Sequence, residues 1–299
     1  MTLRYLLRHY TEYQYKEPVE FAHNQIRMLL RDAPHQEVLA RSVRIRPRPS
    51  WGKLQSDYFA NRVLWTELDQ AHRLSRIFIK HELELQPPAL VPAEHTPGLA
   101  ELQAQLASAR FAQDPALMLY TLPSRLVPSQ HPALRAFAAP FFHTGRPVLE
   151  AAESLMQHIY EHFKFDPEAT SITTPVLDVL EQRHGVCQDF AQLMIGACRA
   201  MGLPARYVSG YIETLPPPGK PRLVGADASH AWLSLWCGAE HGWQDLDPTN
   251  NQRPQGQHII AAWGRDYDDV IPLNGVISGG GDSSKLRVRV DLKRLLGST

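Results

Sequence analysis

Three segments of this 299-residue chain carry residue types suited to nucleophilic attack on an amide. Gly185-Val186-Cys187-Gln188-Asp189-Phe190-Ala191 opens a helical pattern with a cysteine at its start. Ser229-His230-Ala231-Trp232 sets a histidine on a strand-like run, and Trp243-Gln244-Asp245-Leu246-Asp247-Pro248-Thr249-Asn250 supplies carboxylates on a third. A thiol is only a few per cent ionised near neutral pH, but a helix N-terminus and an adjacent imidazolium lower its pKa enough to make the thiolate dominant. A carboxylate can then hold the imidazole in one tautomer and orientation.

The residue types leave alternatives at each position. A buried cysteine at a helix start is most often a small core hydrophobe. Cys198, in mid-helix on the apolar face, and Cys237, after a strand end, keep that reading. His184 is the rival base, although the turn into the helix should point it away from Cys187. The fate of most of the fourteen histidines is a hydrogen-bonded core position, and that is the bland reading of His230 as well. Asp245 and Asp247 share a strand face by parity, and Asp227 sits just before His230, so spacing does not choose the orienting carboxylate. Asp189 falls in the first turn of the cysteine helix, where a carboxylate complements exposed amides. For the oxyanion of a tetrahedral intermediate, the Cys187 N–H is one candidate donor, while Gln188 and Gln182 are open as a second. A metal site is disfavoured because no CxxC or HxxxH pair supplies local ligand spacing, and no cofactor is expected.

Elements to position these residues follow from the pattern. Leu3 to Tyr15 alternates with a period of two, and further strand-like runs fall at 22–30, 41–46, 61–67 and 74–85. These short strands, separated by Pro, Gly, Asp and Asn, predict an antiparallel β-sandwich over residues 1–86. Pro87 to Gly98 is proline-rich and reads as a linker. Helices are expected near 99–107, 132–139 and 147–163, then a short one opened by Pro175, within a domain spanning 99–299. In the cysteine helix, Cys187, Phe190, Ala191, Met194, Ala197, Cys198 and Met201 share one face, and Gly202 with Pro204 ends it. Strands are expected at 205–213, 230–236 and 243–246. Leu286, Val288, Val290 and Leu292 make a last strand with one wet face. Pro216-Pro217-Pro218-Gly219 and Gly279-Gly280-Gly281 read as loops.

Composition bounds the class. Lys plus Arg equals Asp plus Glu at 31 each, so no global field favours a polyanion or a membrane surface. Nucleic acid and membrane are therefore not expected partners; a peptide or protein amide is. No apolar window approaches the roughly 18 residues of a membrane span, and no signal-like h-region opens the chain. Three cysteines do not make a disulfide framework and leave at least one thiol free. The expected setting is the cytoplasm.

The cysteine, histidine and aspartate segments resemble the transglutaminase-like superfamily. Their wording is similar to that of bacterial transglutaminase-like cysteine proteases carrying their own N-terminal β domain. The likeness extends over His9–Val19, Asp57–Asn61, Gly185–Gly210, Ser229–Asn250, the run Gly264-Arg265-Asp266-Tyr267-Asp268-Asp269-Val270 and the closing strand. It implies an α+β fold, with the N-terminal β-sandwich followed by a papain-like, transglutaminase-like catalytic core. Carried over residue by residue, it puts the nucleophile on Cys187, the base on His230 and the orienter on Asp247, with Asp245 as fallback. Two departures stand out: Ala60 where the family has Gly in a DxFGN-like turn, and Gln192 where it has His one turn into the cysteine helix. The implied reaction is thiol acyl transfer through a thioester, leaning to hydrolysis of a peptide or isopeptide amide. Amine transfer, as in a transglutaminase, and a non-catalytic binding module are the alternatives. An arylamine-acetyltransferase-like enzyme shares the residue order but fits the Val186-Cys187-Gln188 context and the separate β domain poorly.

Overall fold

The computed structural model describes residues 2–108, 114–167, 174–213 and 228–295. Asp227 and the Pro216–Gly219 loop fall outside the described residues. One strand, β1 (Leu3–Leu29), organises the N-terminal half; the two separate runs expected at 3–15 and 22–30 are its two arms. The register with its neighbours shifts between Gln14 and Val19, around Pro18, which has no N–H to donate to a ladder.

The first arm pairs β5 (His72–Leu85) on one side, with β2 (Gln36–Arg46) beyond it. The second arm pairs β4 (Arg62–Leu68), with β3 (Trp51–Ser56) beyond. All these pairings are antiparallel. The sandwich expected over residues 1–86 takes the form of one curled seven-stranded sheet whose arms face each other. Ile26, Met28 and Leu64 of the second arm pack against Ile77, Ile79 and Val43 of the first. The remaining strands, β12 (Leu273–Gly279) and β13 (Ser284–Leu295), pair the free edges of the second and first arms of β1. The C-terminal strands, read from the sequence as part of a 99–299 domain, therefore complete the N-terminal sheet. Their alternation marks them as strands, but alternation does not say which edge a strand joins. Without them, the N–H and C=O groups along that side of β1 would face water unpaired.

The other half is helical around a small sheet. A two-residue parallel pair, β6 (Lys164–Phe165) and β7 (His184–Gly185), precedes a four-stranded antiparallel sheet ordered β10-β9-β8-β11. Its strands are β8 (Ala205–Ile212), β9 (Ala228–Trp236), β10 (Trp243–Leu246) and β11 (His258–Gly264). The helix Cys187–Ala200 lies in the core between this sheet and the helices Leu99–Ala107, Pro132–Ala138, Val148–His162 and Val176–Gln182. Burying each Leu or Phe side chain in such a core contributes roughly 1.5–3 kcal/mol. That stabilisation holds the helix in place, with every residue from Gln188 to Arg199 buried.

The two halves are packed together. Tyr5, Leu7, Val290 and Leu292 share a cluster with Tyr211, Ile259 and Ala261. Gln36 bonds both the N–H and the C=O of Ile260, and Asn61 does the same for Trp263. The proline-rich stretch 87–98 is also tied down. Arg253 donates to the Val91 carbonyl, Val148 N–H to that of Pro97, and Leu149 N–H to the Thr96 hydroxyl. Ala60 occupies a left-handed position with φ of 59°, the physical reason that glycine is the expected residue in this turn. Among the described residues no helix is long and apolar enough to cross a membrane.

Candidate active site

Cys187 is the first residue of its helix because Val186 is fully extended and the chain turns immediately after it. The Asp189 carboxylate accepts the Val186 N–H at 2.8 Å, capping the first turn as its position implied. Gly185 makes this possible: a Cβ there would come within 2.8 Å of the Asp189 side chain. Cys187 is half-buried, whereas Cys198 and Cys237 are wholly enclosed. Burial pushes the Cys198 thiol up to about 12 and Cys237 higher still, so both are inert near neutral pH.

His230 stands near the start of β9, opposite Gly210 of β8. A Cβ on Gly210 would lie 2.0 Å from the Ile259 carbonyl oxygen and 2.6 Å from the Trp232 ring, so only glycine lets the strands close here. Trp232, completely buried, lies near-parallel to the His230 ring at 6.0 Å and meets the His258 ring edge-on at 5.0 Å. It fixes the plane of the imidazole. His230 Nε2 is 2.7 Å from Asp247 Oδ2, which leaves Nδ1 for the Cys187 thiol, to which His230 is hydrogen-bonded.

Asp247 directly follows β10 and is fully buried. Its Oδ2 also receives His258 Nε2 at 2.9 Å and the Asn250 side-chain amide at 2.7 Å. Its Oδ1 accepts the backbone N–H groups of Thr249 and Asn250, at 3.0 and 3.3 Å. Five donors thus converge on one carboxylate. Burial opposes ionisation of both partners, yet the outcome favours the ion pair. Hydrogen bonds to Asp247 and Cys187, and their charges, outweigh desolvation and raise His230 to about 10. The donors from His230 and His258 likewise overcome desolvation and hold Asp247 well below the usual carboxylate range.

The other candidates are elsewhere. Asp245 accepts from Trp232 Nε1 at 3.2 Å and from the Ser234 hydroxyl, so it orients the tryptophan rather than His230. His184 sits in the short β7 pairing with Lys164. Gln188 is buried in the first turn of the cysteine helix and Gln182 is exposed before it. Gln192, where the resemblance leads one to expect histidine, is buried and accepts the Tyr267 N–H at 3.3 Å, tying the helix to the Asp266 turn. Trp243 stacks under Arg206 and packs edge-on against Tyr120, away from His230.

Two residues were missed from sequence. His258 opens β11, a strand not recognised, although the β-branched and aromatic run after Gly256 signals one. Asn250 lay within the motif without a role; its amide bonds Asp247 and comes 3.4 Å from His230 Nε2. His230, Asp247 and His258 also form a group whose ligand-type atoms lie within 4.8 Å of one another, a geometry that could take a divalent ion. Local spacing could not have found it, since the three residues come from three strand segments. The hydrogen bonds among these atoms account for their convergence without one.

Comparison with known proteins bears on the family and the fold. A family model described as the transglutaminase-like superfamily matches residues 135–248, and one described as the bacterial transglutaminase-like N-terminal region matches 5–85. An uncharacterized protein of Mycobacterium tuberculosis is 38% identical over 295 residues, 97% of this chain and 93% of that one. One of Mycobacterium leprae is 31% identical over 290 residues, 96% and 97% of the two chains. A protein-glutamine gamma-glutamyltransferase of Pseudomonas aeruginosa is 32% identical over 134 residues, covering 41% of this chain but 20% of that protein. Among solved structures, a protein of Cytophaga hutchinsonii assigned provisionally to the cysteine proteases superposes with a TM-score of 0.77 at 19% identity. It covers all of this chain and 93% of its own, and shows the shared fold.

Proposed function

The chain belongs to the transglutaminase-like superfamily, and from that premise we propose that it is a thiol acyl-transfer enzyme acting on peptide or isopeptide amides through Cys187, His230 and Asp247. The observation that carries this reading is the continuous hydrogen-bonded chain from the Cys187 thiol through His230 to the buried Asp247 carboxylate. In the first half-reaction the Cys187 sulfur attacks the amide carbonyl carbon. The resulting oxyanion is met by the Cys187 N–H, which in the first turn has no intrahelical acceptor. His230, protonated and aimed at the sulfur through Nδ1, gives that proton to the departing nitrogen as the C–N bond breaks. A thioester and a free amine result. His230, now neutral, takes a proton from the incoming water as its oxygen attacks the thioester, and collapse releases a carboxylic acid and restores the thiolate–imidazolium pair.

Water is the proposed acyl acceptor, so the enzyme is read as a peptidase or amidase. Among the described residues nothing marks a lysine-binding tunnel, and Cys187 itself remains partly open to solvent. The name of the Pseudomonas aeruginosa relative favours the second reading, transfer to a primary amine, over the catalytic segment alone. The reading sets the reaction in the cytoplasm, in keeping with three unpaired thiols. Incubation with a peptide library, with and without a primary amine, separates the outcomes by product mass. Free acid is the expected main product; a dominant amine adduct at millimolar amine overturns hydrolysis. No product at all, with Cys187 still alkylatable, favours a binding module.

A further inference from the structure

The outer face of the first sheet arm departs from the neutral balance of the whole chain. Registers across β2, β5, β1 and β13 align its side chains in rows. Arg44, Phe78, Tyr10 and Arg289 make one row. Arg46, Arg76, Glu12 and Arg287 make the next. Lys80, Arg8 and Asp291 continue the face on the other side. Seven cations and two carboxylates line a trough of about 840 Å³, and one of the cations, Lys80, is paired at 2.9 Å with Glu82 at its edge. The carboxylates are already claimed: Glu12 by Arg76 at 2.8 Å and Arg287 at 3.4 Å, Asp291 by Arg8 at 3.7 Å. Arg44, Arg46 and Arg289 make no ion pair among the described residues. The alternating residues of β1 point the other way, where His9 bonds the Tyr211 hydroxyl at 2.8 Å, so this face lies opposite the layer that carries Cys187.

We propose that this face is a docking site for an acidic, extended polypeptide segment, independent of the acyl-transfer reading. Arg44 and Arg289 stand three strands apart, roughly 14 Å at the usual strand spacing, which about four residues of extended chain span. Each presents a planar donor fork suited to a carboxylate, and the exposed Phe78 ring between them suits an apolar residue of the same segment. Charge complementarity selects a polyanion, and the details select peptide over single-stranded nucleic acid. Tyr10 and Phe78 close on each other, with centroids 4.8 Å apart and a 46° tilt, so they do not form open parallel platforms for bases. Glu12 and Asp291 interrupt any continuous phosphate track, whereas discrete carboxylates can meet discrete guanidiniums.

The test uses full-length protein carrying Cys187→Ser, so that no probe is turned over, and fluorescence anisotropy of three labelled probes. These are a ten-residue glutamate peptide with a central phenylalanine, its glutamine counterpart, and a ten-nucleotide thymidine strand. Expected is binding of the glutamate peptide that weakens steeply with salt, at least tenfold tighter than either other probe. It should be lost at least tenfold on Arg44→Gln/Arg289→Gln, while Lys53→Glu on the other arm leaves it unchanged. Both substituted positions are exposed, and unchanged far-UV dichroism checks that the fold is retained. Equal binding of the glutamine peptide, tighter binding of the thymidine strand, an unaffected double variant or no binding of any probe each overturns the proposal.

Discussion

Asp247→Asn tests the electrostatic argument at its centre. In the native site, Oδ1 accepts two backbone N–H groups and Oδ2 accepts His230, His258 and Asn250. An asparagine can keep its carbonyl oxygen on only one side. If the oxygen stays on Thr249 and Asn250, the new NH₂ faces three donors, and His230 must present a bare Nε2 and carry its proton on Nδ1. That tautomer points an N–H at the sulfur and can no longer take a proton from the attacking water. The charge effect adds to this. His230 is raised from 6.5 to about 10 against burial, with the Asp247 bond the first of the raising causes. Removing it leaves only the Cys187 bond and charge to oppose desolvation, and His230 falls toward its ordinary value. At about 1.4 kcal/mol per unit, that loss is on the order of 5 kcal/mol of imidazolium stabilisation. At pH 7 the ring therefore changes from almost fully charged to mostly neutral. The expected result is acyl transfer reduced by roughly 10⁴-fold, in line with the equivalent change in serine triads. Slower iodoacetamide capture of Cys187 at pH 7 should accompany it. Capture is read by peptide mapping across pH 5–10, and the imidazole by its ring-nitrogen NMR shifts. If Asp247→Asn alkylates at the wild-type rate with His230 still protonated at pH 8, Asp247 is not what holds the charge.

His230→Ala should be more damaging than Asp247→Asn, with no measurable acyl transfer and a retained fold; a greater loss from His184→Ala, with the fold retained, would place the base elsewhere. Limiting iodoacetamide at neutral pH should label Cys187 alone, since Cys198 and Cys237 are enclosed and their thiols pushed up; label on either of them counts against the assignment. His230 has its folded pKa above its unfolded value, so its stabilisation is complete below pH 6.5 and is lost as pH rises through about 10. The melting-temperature gap between wild type and His230→Gln should accordingly be flat over pH 5–6.5 and narrow toward pH 10, a widening gap being the contrary result. Ala60→Gly should raise stability by roughly 0.5–1 kcal/mol, or a few degrees in Tm, by relieving a left-handed alanine; a lower Tm would mean the strain is already relaxed.

How far the sequence could be read depended on whether a feature is local. Cys187 at a helix start is local: a capping Asp189 and an apolar face ending at Gly202 lie within a few turns, and both were legible. Strands of period two were legible for the same reason. Which edge a strand joins is not local, and so the return of Leu286–Leu292 to β1, about 280 residues away in sequence, was invisible. The choice between Asp245 and Asp247 shows the same boundary. Parity puts both on one strand face, yet one bonds Trp232 and Ser234 while the other bonds His230. What separates them is β11, which brings His258 onto Asp247, and β11 takes its position from Gly210. Gly210→Ala carries this argument to a measurement. The added methyl would stand 2.0 Å from Ile259 O, a backbone atom that cannot swing aside, so β8 and β11 must part. Overpacking of that kind costs about 1–3 kcal/mol or more, with a fall in Tm of up to roughly 10 °C for a domain of this size. Because His258 rides on the displaced strand and donates to the carboxylate that holds His230, the loss should not be confined to stability: the His230 titration in the variant should shift away from that of wild type, even at temperatures where the protein is fully folded. A Gly210→Ala protein that melts early but keeps the wild-type His230 titration would separate the strand contact from the site and refute the coupling.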